Sequence, residues 1–410
     1  MNCRFIIRIN PAKAVFAFSF LYTNIIAVKL FAVPGLSFGL LALSFLLAIS
    51  TRRKNMNEVF RERSIILYFI FVLITSITSV LVSNDLYVAL SSINALIEYG
   101  MMLIIIVTFS LEDGNVDYSI NLFLLYALIS CILLFIAPKP FTDTISRTIY
   151  LTIAPGVNPH TVGMVLAIGI WCCMMKLGQG RRKSIWEVII SVALMIAMFA
   201  AAILTNSRKT ILGIALIVIF SVIPYLQTAV KRMSSIGRLL FPAIFFASLL
   251  YFFINPQLFI SFFEKNDILL RFQEMNGSSN QSRIAMIIEA LNVFCENPIF
   301  GVGLNNFREY SSYQTYSHNT YSEILACCGI VGTIPFAYMI GKTFIPIFVR
   351  KVGSKNNQIA GYTKRMFCIL VVLILYAGFS QIIIYGREFM YAIALCIAYN
   401  MLQKRENFIT

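Results

Sequence analysis

Three side chains in this sequence have the chemistry to bind an anion and to move a proton. His318 can accept a proton from a hydroxyl group, because imidazole is the side chain whose unperturbed pKa lies nearest to neutrality. Arg208 and Arg283 carry guanidinium groups that stay charged and bind phosphate oxygens in pairs. Each also has an ordinary interpretation. His318 could be a surface residue that caps a helix, and each arginine, Arg208 together with Lys209, could simply extend toward lipid headgroups.

The surroundings of Arg283 favour anion binding. The polar stretch 277–282 before it can open a helix, and the free N–H groups and the dipole of a helix N-terminus attract anions. The residues that follow place apolar side chains on one stripe and polar ones opposite, which is typical of a helix at a membrane surface. The stripe consists of Ile284, Ile287, Ile288, Leu291 and Phe294, and the opposite face of Glu289, Asn292 and Glu296.

The composition indicates the class of protein in which these residues act. The 410 residues are 59% hydrophobic and 12% charged, whereas soluble domains are about half apolar and about a quarter charged. A net charge of +15 would suggest nucleic-acid binding in a soluble protein, but here the basic residues form short clusters between apolar runs, so we exclude nucleic acid. The nine cysteines show neither disulfide nor metal-ligand spacing, so we expect no metal site.

Apolar runs long enough to cross a bilayer recur along the whole chain. A spanning helix needs about 20 mostly apolar residues, which predicts about twelve crossings, or about eleven if one short run does not cross. The first run follows several basic residues and leads at once into a second run, so we expect a retained helix and not a cleaved signal peptide. The candidate spans are 14–32, 36–50, 64–83, 88–110, 119–138, 161–177, 185–204, 211–226, 239–256, 320–348, 366–385 and 389–402.

The connectors between these runs predict which side of the membrane each one faces. Lys and Arg concentrate on the cytoplasmic side, and alternate connectors of this chain are basic, 51–63 and 349–365 among them. The exception is 111–118, which carries acids that count little in this rule. Both chain ends are therefore predicted to be cytoplasmic, with His160 and His318 on the outer face. The outer connectors are 84–87, 139–160, 205–210, 257–319 and 386–388.

The predicted fold is an all-α transmembrane bundle that forms one domain over residues 1–410. Its longest connector, the outer loop 257–319, should contain short helices and is long enough to suggest a function of its own. Glu98 lies near the middle of the fourth run, where insertion of an ionisable group costs roughly 2.5–3.5 kcal/mol. It should therefore face the bundle interior with a partner, either for structure or in a transport pathway. The roles of Arg387 and Glu388, on the last outer turn, stay open.

The stretch 317–332 carries a motif. His318 and Asn319 are followed by nine residues and then by Gly329 and Gly332. This arrangement resembles the signature of the O-antigen ligase and polymerase proteins, which assemble bacterial surface polysaccharides. Other segments that look like that family are Ser282-Arg283, 297–303 with Phe307, and Ser207-Arg208. We expect the motif glycines to serve turns and close packing and not ligand binding.

The resemblance implies an enzyme with a C-type glycosyltransferase-like fold. Its substrate would be a glycan on undecaprenyl diphosphate, presented at the outer face of the cytoplasmic membrane. His318 would be the catalytic base, Arg208 and Arg283 would bind the diphosphate, and Asn319 and Glu323 would support the site. Glu323 could orient the imidazole or simply begin a helix. The implied reaction inverts the sugar and needs no metal or other cofactor. The implied partners are the lipid-linked oligosaccharide, membrane lipid, and chain-length regulator and flippase proteins.

The motif does not separate a polymerase, which joins repeat units, from a ligase, which moves finished glycan to lipid A core. We favour polymerisation of O-antigen or capsular repeat units, because polymerases that share the motif are more varied in sequence. Two other classes stay open. One is a transporter or flippase of lipid-linked glycan, for which Glu98 is the best evidence, although no repeat supports it. The other is a non-enzymatic assembly partner, which would have no need of the His-Asn motif.

Overall fold

The structure is a computed structural model that describes residues 10–26, 35–136, 159–178, 184–205, 207–232, 278–350 and 357–409. Across these ranges the chain is helical, and none of them contains a strand. The predicted all-α class is therefore confirmed for the described residues. The predicted span 239–256, most of the connector 139–160 and the outer loop as far as residue 277 lie outside them.

Fourteen α-helices occur within the described ranges, most of them joined by short turns. They are α1 (Pro11–Leu21), α2 (Leu36–Thr51), α3 (Arg53–Phe60), α4 (Arg63–Val82), α5 (Leu86–Asp113), α6 (Asp117–Ile136), α7 (Pro159–Leu177), α8 (Ile185–Leu204), α9 (Arg208–Arg232), α10 (Ser278–Glu296), α11 (Phe307–Tyr310), α12 (Thr320–Val349), α13 (Asn357–Gly378) and α14 (Arg387–Ile409). A π-helical turn, Tyr22–Ile26, continues α1, and a 3-10 turn, Ile383–Tyr385, precedes α14.

Seven of the described helices are long and apolar enough to cross a membrane, namely α4 to α8, α12 and α13. Helices α2 and α3 together would make an eighth span, but they are bent by 113° where they meet. The predicted span 211–226 falls in α9, whose apolar part Lys209–Ser221 is shorter, and 389–402 falls in α14, which has charged residues near both ends. The chain is a multi-pass membrane protein, but the predicted count of twelve crossings is not confirmed.

The first predicted span, 14–32, is not one continuous α-helix. The chain passes from α1 into the π-helical turn, where Thr23 Oγ1 donates to the Ser19 carbonyl at 2.8 Å. Asn24 Nδ2 donates in the same way to the Phe20 carbonyl at 2.8 Å. Side chains that bond back to the preceding turn compete with backbone N–H groups for these carbonyls. A span predicted from hydropathy alone does not take this competition into account.

Helix α14 lies at the centre of the bundle. Residues 389–401 are all nearly inaccessible to solvent. Asn400 Nδ2 donates to the Thr343 carbonyl of α12 at 2.7 Å, which satisfies a polar group that lipid could not. Residues 379–386, which we call the α13–α14 turn, lead directly into this buried helix and are fixed by it.

The basic residues predicted to face the cytoplasm meet at one end of the bundle. Four ion pairs with N···O distances of 2.5–2.6 Å occur there: Lys13–Asp113, Arg52–Glu112, Lys404–Glu62 and Arg405–Glu58. Glu112 and Asp113, in the connector that is the exception to the basic pattern, thus pair with basic residues of neighbouring segments. Predicted outer connectors meet at the opposite end, where Asp85 N–H donates to Asn306 Oδ1 at 2.8 Å. The alternation of connectors predicted from charge therefore corresponds to two separate ends of the structure.

Helix α12 is interrupted at Gly329, whose φ of 58° and ψ of −165° are not helical. The segment 298–303 fills the break. The N–H groups of Val302 and Gly303 donate, at 3.0 and 2.9 Å, to carbonyls that the break leaves without a helical partner. A Cβ on Gly329 would lie 2.3 Å from the Ile299 carbonyl oxygen, so only glycine fits. The prediction that the motif glycines serve turns and close packing is confirmed here.

Candidate functional site

His318 lies directly before the first turn of α12, in a left-handed backbone conformation with a φ of 57°. Asn319 caps the helix, because its Oδ1 accepts hydrogen bonds from the N–H groups of Tyr321 and Ser322 at 2.9 and 3.2 Å. The ordinary interpretation of His318 as the helix cap is therefore wrong. A left-handed conformation is unfavourable for a residue with a Cβ and persists where the surroundings impose it, as they do at many functional sites.

A buried hydrogen-bond network imposes that conformation. Ser317 N–H donates to Glu323 Oε2 at 2.7 Å, and Ser317 Oγ donates to the Asn319 carbonyl at 2.9 Å. Ser322 Oγ donates to Ser317 Oγ at 3.1 Å. The residues on both sides of His318 are thereby fixed. Among the hydrogen bonds of the described residues, none joins Glu323 to the imidazole, so Glu323 supports the backbone before His318 and does not orient the ring directly.

The imidazole of His318 is half-buried beside the ring of Tyr316, with 4.2 Å between the ring centroids. Burial, and then the positive charges of Arg283 and Lys209, lower the pKa of His318 from its ordinary value of 6.5 to about 4. The ring is therefore uncharged at neutral pH and able to accept a proton. Both cations lie near enough to the imidazole for their charges to act on it.

Arg283 approaches His318 from helix α10. The residues from Ser278 onward open this helix, as predicted, so Arg283 lies beyond its first turn. The helix dipole acts mainly within the first turn. Anion binding at Arg283 therefore depends on its guanidinium group and not on free backbone N–H groups.

The face through which α10 packs on α12 differs from the predicted apolar stripe. Its buried positions are Met286, Ala290 and Val293, while the predicted stripe is exposed at Ile284, Ile288 and Leu291. Both faces are apolar, so sequence periodicity did not separate them. The exposed stripe fits the prediction that this helix lies at a membrane surface.

The first turn of α9 brings a second cation to the site. Lys209 Nζ donates to the Ser380 carbonyl at 2.5 Å, and the Lys209 carbonyl accepts a hydrogen bond from Tyr376 at 3.3 Å. Arg208 is the first residue of α9, and its side chain lies outside the described part of the structure. The sequence predicted Arg208 as the anion ligand and noted Lys209 only as its neighbour. The structure places the ammonium group of Lys209 close to His318.

The α13–α14 turn joins the His318 segment to Lys209. Thr320 Oγ1 donates to the Gln381 carbonyl at 2.5 Å and accepts from Ile383 N–H at 2.9 Å. Asn319 Nδ2 donates to the carbonyl of Phe379 at 3.5 Å, one residue before the carbonyl that Lys209 contacts. The turn therefore holds the His318 segment and Lys209 on a common support. No motif marked these residues in the sequence.

The sequence predicted that Glu98 has a partner, and in the structure this partner is Arg387. Arg387 Nη2 lies 3.1 Å from Glu98 Oε2, and the neighbouring Tyr99 donates from its hydroxyl to the Tyr385 carbonyl at 2.8 Å. The prediction that Glu98 faces the interior with a partner is confirmed. The pair borders a small cleft of about 20 Å³ that is also lined by residues of α1 and α2. Through these two contacts α5 holds the end of the α13–α14 turn.

The residues around His318 fall largely within a region of known type. Residues 193–337 match the sequence profile of the family described as O-antigen ligase. Over these residues the chain is similar to O-antigen ligases. This region contains Arg208, Arg283 and His318, so the resemblance seen in the motif is confirmed. The match supports an enzyme of the O-antigen ligase and polymerase kind. No curated protein sequence matches the chain.

The matching region, residues 193–337, does not contain the whole site. The matching region ends within α12, before the α13–α14 turn that supports His318, and it begins after α7. The contacts of Lys209 and Asn319 with Ser380 and Phe379 therefore cross its boundary. The site depends on segments on both sides of the domain.

Proposed function

We propose that this protein is a glycosyltransferase acting on a glycan linked to undecaprenyl diphosphate at the outer face of the cytoplasmic membrane. The observation that carries the proposal is the uncharged imidazole of His318, held near Arg283 and Lys209 in the region that is similar to O-antigen ligases. An acceptor hydroxyl needs a base, and a departing diphosphate needs fixed positive charge. The site offers both within one structure.

In the proposed reaction His318 removes the proton from the acceptor hydroxyl, whose oxygen attacks the anomeric carbon of the lipid-linked sugar. The new carbon–oxygen bond forms as the bond to the diphosphate breaks, and the diphosphate leaves with the electron pair. Attack from the face opposite the leaving group inverts the anomeric configuration. Arg283, Lys209 and, as the sequence predicts, Arg208 stabilise the charge that develops on the diphosphate. The proton on His318 then passes to solvent or to the released diphosphate.

The electrostatics of the site suit this order of events. Without substrate, Arg283 and Lys209 help to hold the pKa of His318 at about 4, which makes the imidazole a weak base. A bound diphosphate opposes the field of these cations and so raises that pKa. The base therefore becomes stronger when the substrate is in place, which is when catalysis requires it.

The cations of Arg283, Lys209 and, as the sequence predicts, Arg208 would do the work that a divalent metal performs in many other glycosyl transfers. No group of three or more potential His, Cys, Asp or Glu ligands occurs among the described residues. We therefore propose a metal-independent reaction, within the C-type glycosyltransferase fold that the resemblance implies. Turnover in the presence of EDTA would support this, and activity that requires an added metal would contradict it.

Between the two family activities we propose a polymerase of O-antigen or capsular repeat units, with the O-antigen ligase as the second candidate. The matching region is shared by both, so the geometry of the site serves either reaction. Deletion of the protein in cells separates them: loss of a polymerase leaves single repeat units attached to the surface acceptor, whereas loss of a ligase leaves long chains on the lipid carrier. Chain-length regulator and flippase proteins are the expected partners of either enzyme.

A transporter or flippase of lipid-linked glycan is the candidate from a different class, because Glu98 and Arg387 border an internal cleft. The ion pair also ties α5 to the start of α14, which is a structural role sufficient to account for it. Replacement of Glu98 by Gln separates the two: glycan translocation is lost if the carboxylate lies in a transport pathway. Under the enzymatic proposal translocation continues.

We further propose that both chain ends are cytoplasmic and that the His318 end of the bundle faces outward in the inner membrane. The ion-paired end carries the basic connectors, which favour the cytoplasm. Cysteine labelling from the outside of intact cells tests this orientation. Cys295 in the exposed part of α10 should react, whereas a cysteine introduced at Lys404 should not.

The decisive test of function uses purified full-length protein in lipid nanodiscs with a defined undecaprenyl-diphosphate-linked repeat unit. Wild type should lengthen the glycan and release undecaprenyl diphosphate, whereas His318→Ala should not. Lys404→Gln, at the ion-paired end, is the matched control and should retain turnover. Equal turnover by wild type and His318→Ala would overturn the proposal.

A further inference from the structure

We propose that His160 is a positioning residue for the lipid-linked diphosphate: through Ser207 it holds the first turn of α9, and with it Lys209, in the orientation that the site requires. His160 lies in the first turn of α7, outside the matching family region, and no motif assigns it a role. The inference rests on the proposed function and adds a residue to it.

The contact that carries the proposal joins two helix starts. His160 Nδ1 lies 2.8 Å from Ser207 Oγ, and Ser207 is fully buried. Ser207 also caps α9, because its Oγ accepts from Thr210 N–H at 3.4 Å and its carbonyl accepts from the same group at 3.1 Å. A cap residue sets the direction in which the first turn of a helix begins. His160 therefore acts on the orientation of α9 at its origin.

A second contact fixes the rotation of α9 about its own axis. Gly163 of α7 faces Thr210 of α9, and a Cβ added to Gly163 would lie 1.9 Å from Thr210 Oγ1. The two helices are thus in close contact at Gly163 and are hydrogen-bonded at His160. Ser207 and Thr210 are one turn apart, so the direction of Lys209 between them is determined.

The orientation of α9 determines where the ammonium group of Lys209 lies in the site. With α9 in this orientation, Lys209 Nζ reaches the Ser380 carbonyl at 2.5 Å, next to the part of the α13–α14 turn that binds Asn319. Rotation or displacement of the first turn would move the ammonium group away from the diphosphate. Misplacement by about 1 Å is enough to weaken catalysis substantially.

The role requires hydrogen bonding and not titration. Asparagine places an amide group as far from the backbone as Nδ1, and that amide can either donate to Ser207 Oγ or accept from it. Alanine makes no such bond, and glutamine places the same amide one bond too far away. These three variants therefore separate a positioning role from a role that needs an ionisable ring.

The experiment measures kcat and KM of the full-length protein in nanodiscs, with the lipid-linked repeat unit as substrate. His160→Ala should raise KM about tenfold, with a smaller effect on kcat, because binding of the diphosphate is weakened before and during the reaction. His160→Asn should stay within about threefold of wild type, and His160→Gln should resemble Ala. Lys176→Gln, at the opposite end of α7, is the matched control and should leave both constants unchanged.

A double-mutant cycle tests the route through Ser207. Ser207→Ala should raise KM as His160→Ala does, and the double variant should be no worse than either single variant, because both remove one interaction. The acid limb of the kcat/KM profile should remain that of wild type in His160→Asn, since His318 sets it. Additive effects, or an Asn variant as impaired as Ala, would overturn the positioning role.

The two proposals fail in different ways. Absence of turnover in the wild type would overturn the glycosyltransferase itself. Normal turnover in the wild type with an unchanged KM in His160→Ala would overturn only the role of His160. If His160→Ala does not fold, the comparison of Asn with Gln still decides the question, because the two side chains differ only in reach.

Discussion

The two ends of the bundle use positive charge differently. At one end each of Lys13, Arg52, Lys404 and Arg405 pairs with a carboxylate at 2.5–2.6 Å. At the other end Lys209 meets a backbone carbonyl, and together with Arg283 it shifts the pKa of His318. A carboxylate neutralises a cation, whereas a carbonyl positions it and leaves its field to act on other groups. The four basic residues at one end thus serve packing, whereas the two at the other end act on the imidazole of His318.

Among substitutions at the two ends, replacement of His318 should lower turnover the most. His318→Ala removes the base and should lower kcat by about 10²–10⁴-fold, the range typical of general base catalysis. The amount of protein in the membrane should not change, because the Ser317–Glu323 network does not involve the ring. Single-turnover transfer with purified protein measures the effect. A fall in protein level that matches the fall in activity would speak against a catalytic role.

Replacement of Arg283 or Lys209 by an uncharged residue should have the next largest effect on turnover. Arg283→Gln and Lys209→Gln should each lower kcat/KM by about 10- to 100-fold, because a developing charge loses one stabilising group. Lys209→Arg keeps the charge and should be impaired less. Equal losses from Lys404→Gln, at the ion-paired end, would erase the distinction between the two ends.

The same variants should shift the pH dependence in a defined direction. A positive charge near imidazole disfavours its protonated form, so removal of Lys209 or Arg283 raises the pKa of His318 from about 4 toward its ordinary value. The acid limb of the kcat/KM profile should therefore move to higher pH in Lys209→Gln. If the acid limb of the kcat/KM profile lay at the same pH in Lys209→Gln as in wild type, the charge of Lys209 would not affect the pKa of His318.

Removal of Glu323 should have an intermediate effect. Glu323→Ala leaves the buried Ser317 N–H without its acceptor, which costs about 1–3 kcal/mol and loosens the backbone before His318. Turnover should fall about tenfold, and Glu323→Gln, whose amide oxygen still accepts, should recover most of it. If the Gln variant were as impaired as Ala, the negative charge would matter and not the hydrogen bond.

The smallest effect is expected at the ion-paired end. Arg405→Gln breaks a pair whose side chains are 32% and 43% exposed, so it should change the free energy of unfolding by at most about 1 kcal/mol. Turnover should remain that of wild type. Thermal unfolding in detergent together with the transfer assay checks both expectations. A large loss of turnover would mean that this end also contributes to the reaction.

Several features of the fold were predictable because single residues or short patterns determine them. The apolar runs predicted helices, and the charge of the connectors predicted which of them lie together at each end of the bundle. The His318 motif predicted the family. The glycines of the motif were correctly predicted as packing positions. The positive φ values of Gly329 in the motif and of Gly301 and Gly303 let 298–303 enter the break in α12, but this partner segment was not apparent from the sequence.

The missed features depend on contacts between distant segments. Lys209 and Arg208 are adjacent, and only the docking of α9 on the α13–α14 turn showed where the Lys209 ammonium lies. The sequence left open whether Glu323 orients the imidazole or simply begins a helix, and the structure shows that it binds the backbone of Ser317. Periodicity predicted one apolar stripe on α10, whereas α12 packs on the different face formed by Met286, Ala290 and Val293. Local sequence patterns do not contain this long-range information.

The dependence of the site on the α13–α14 turn also sets the order in which a newly made chain acquires activity. Thr320 and Gln381, which hold the two parts together, are separated by 61 residues. During synthesis the histidine therefore leaves the ribosome well before its support does. If the protein transfers sugar as proposed, a polypeptide that ends before α13 contains the whole motif but lacks the contacts that hold it, and should be inactive.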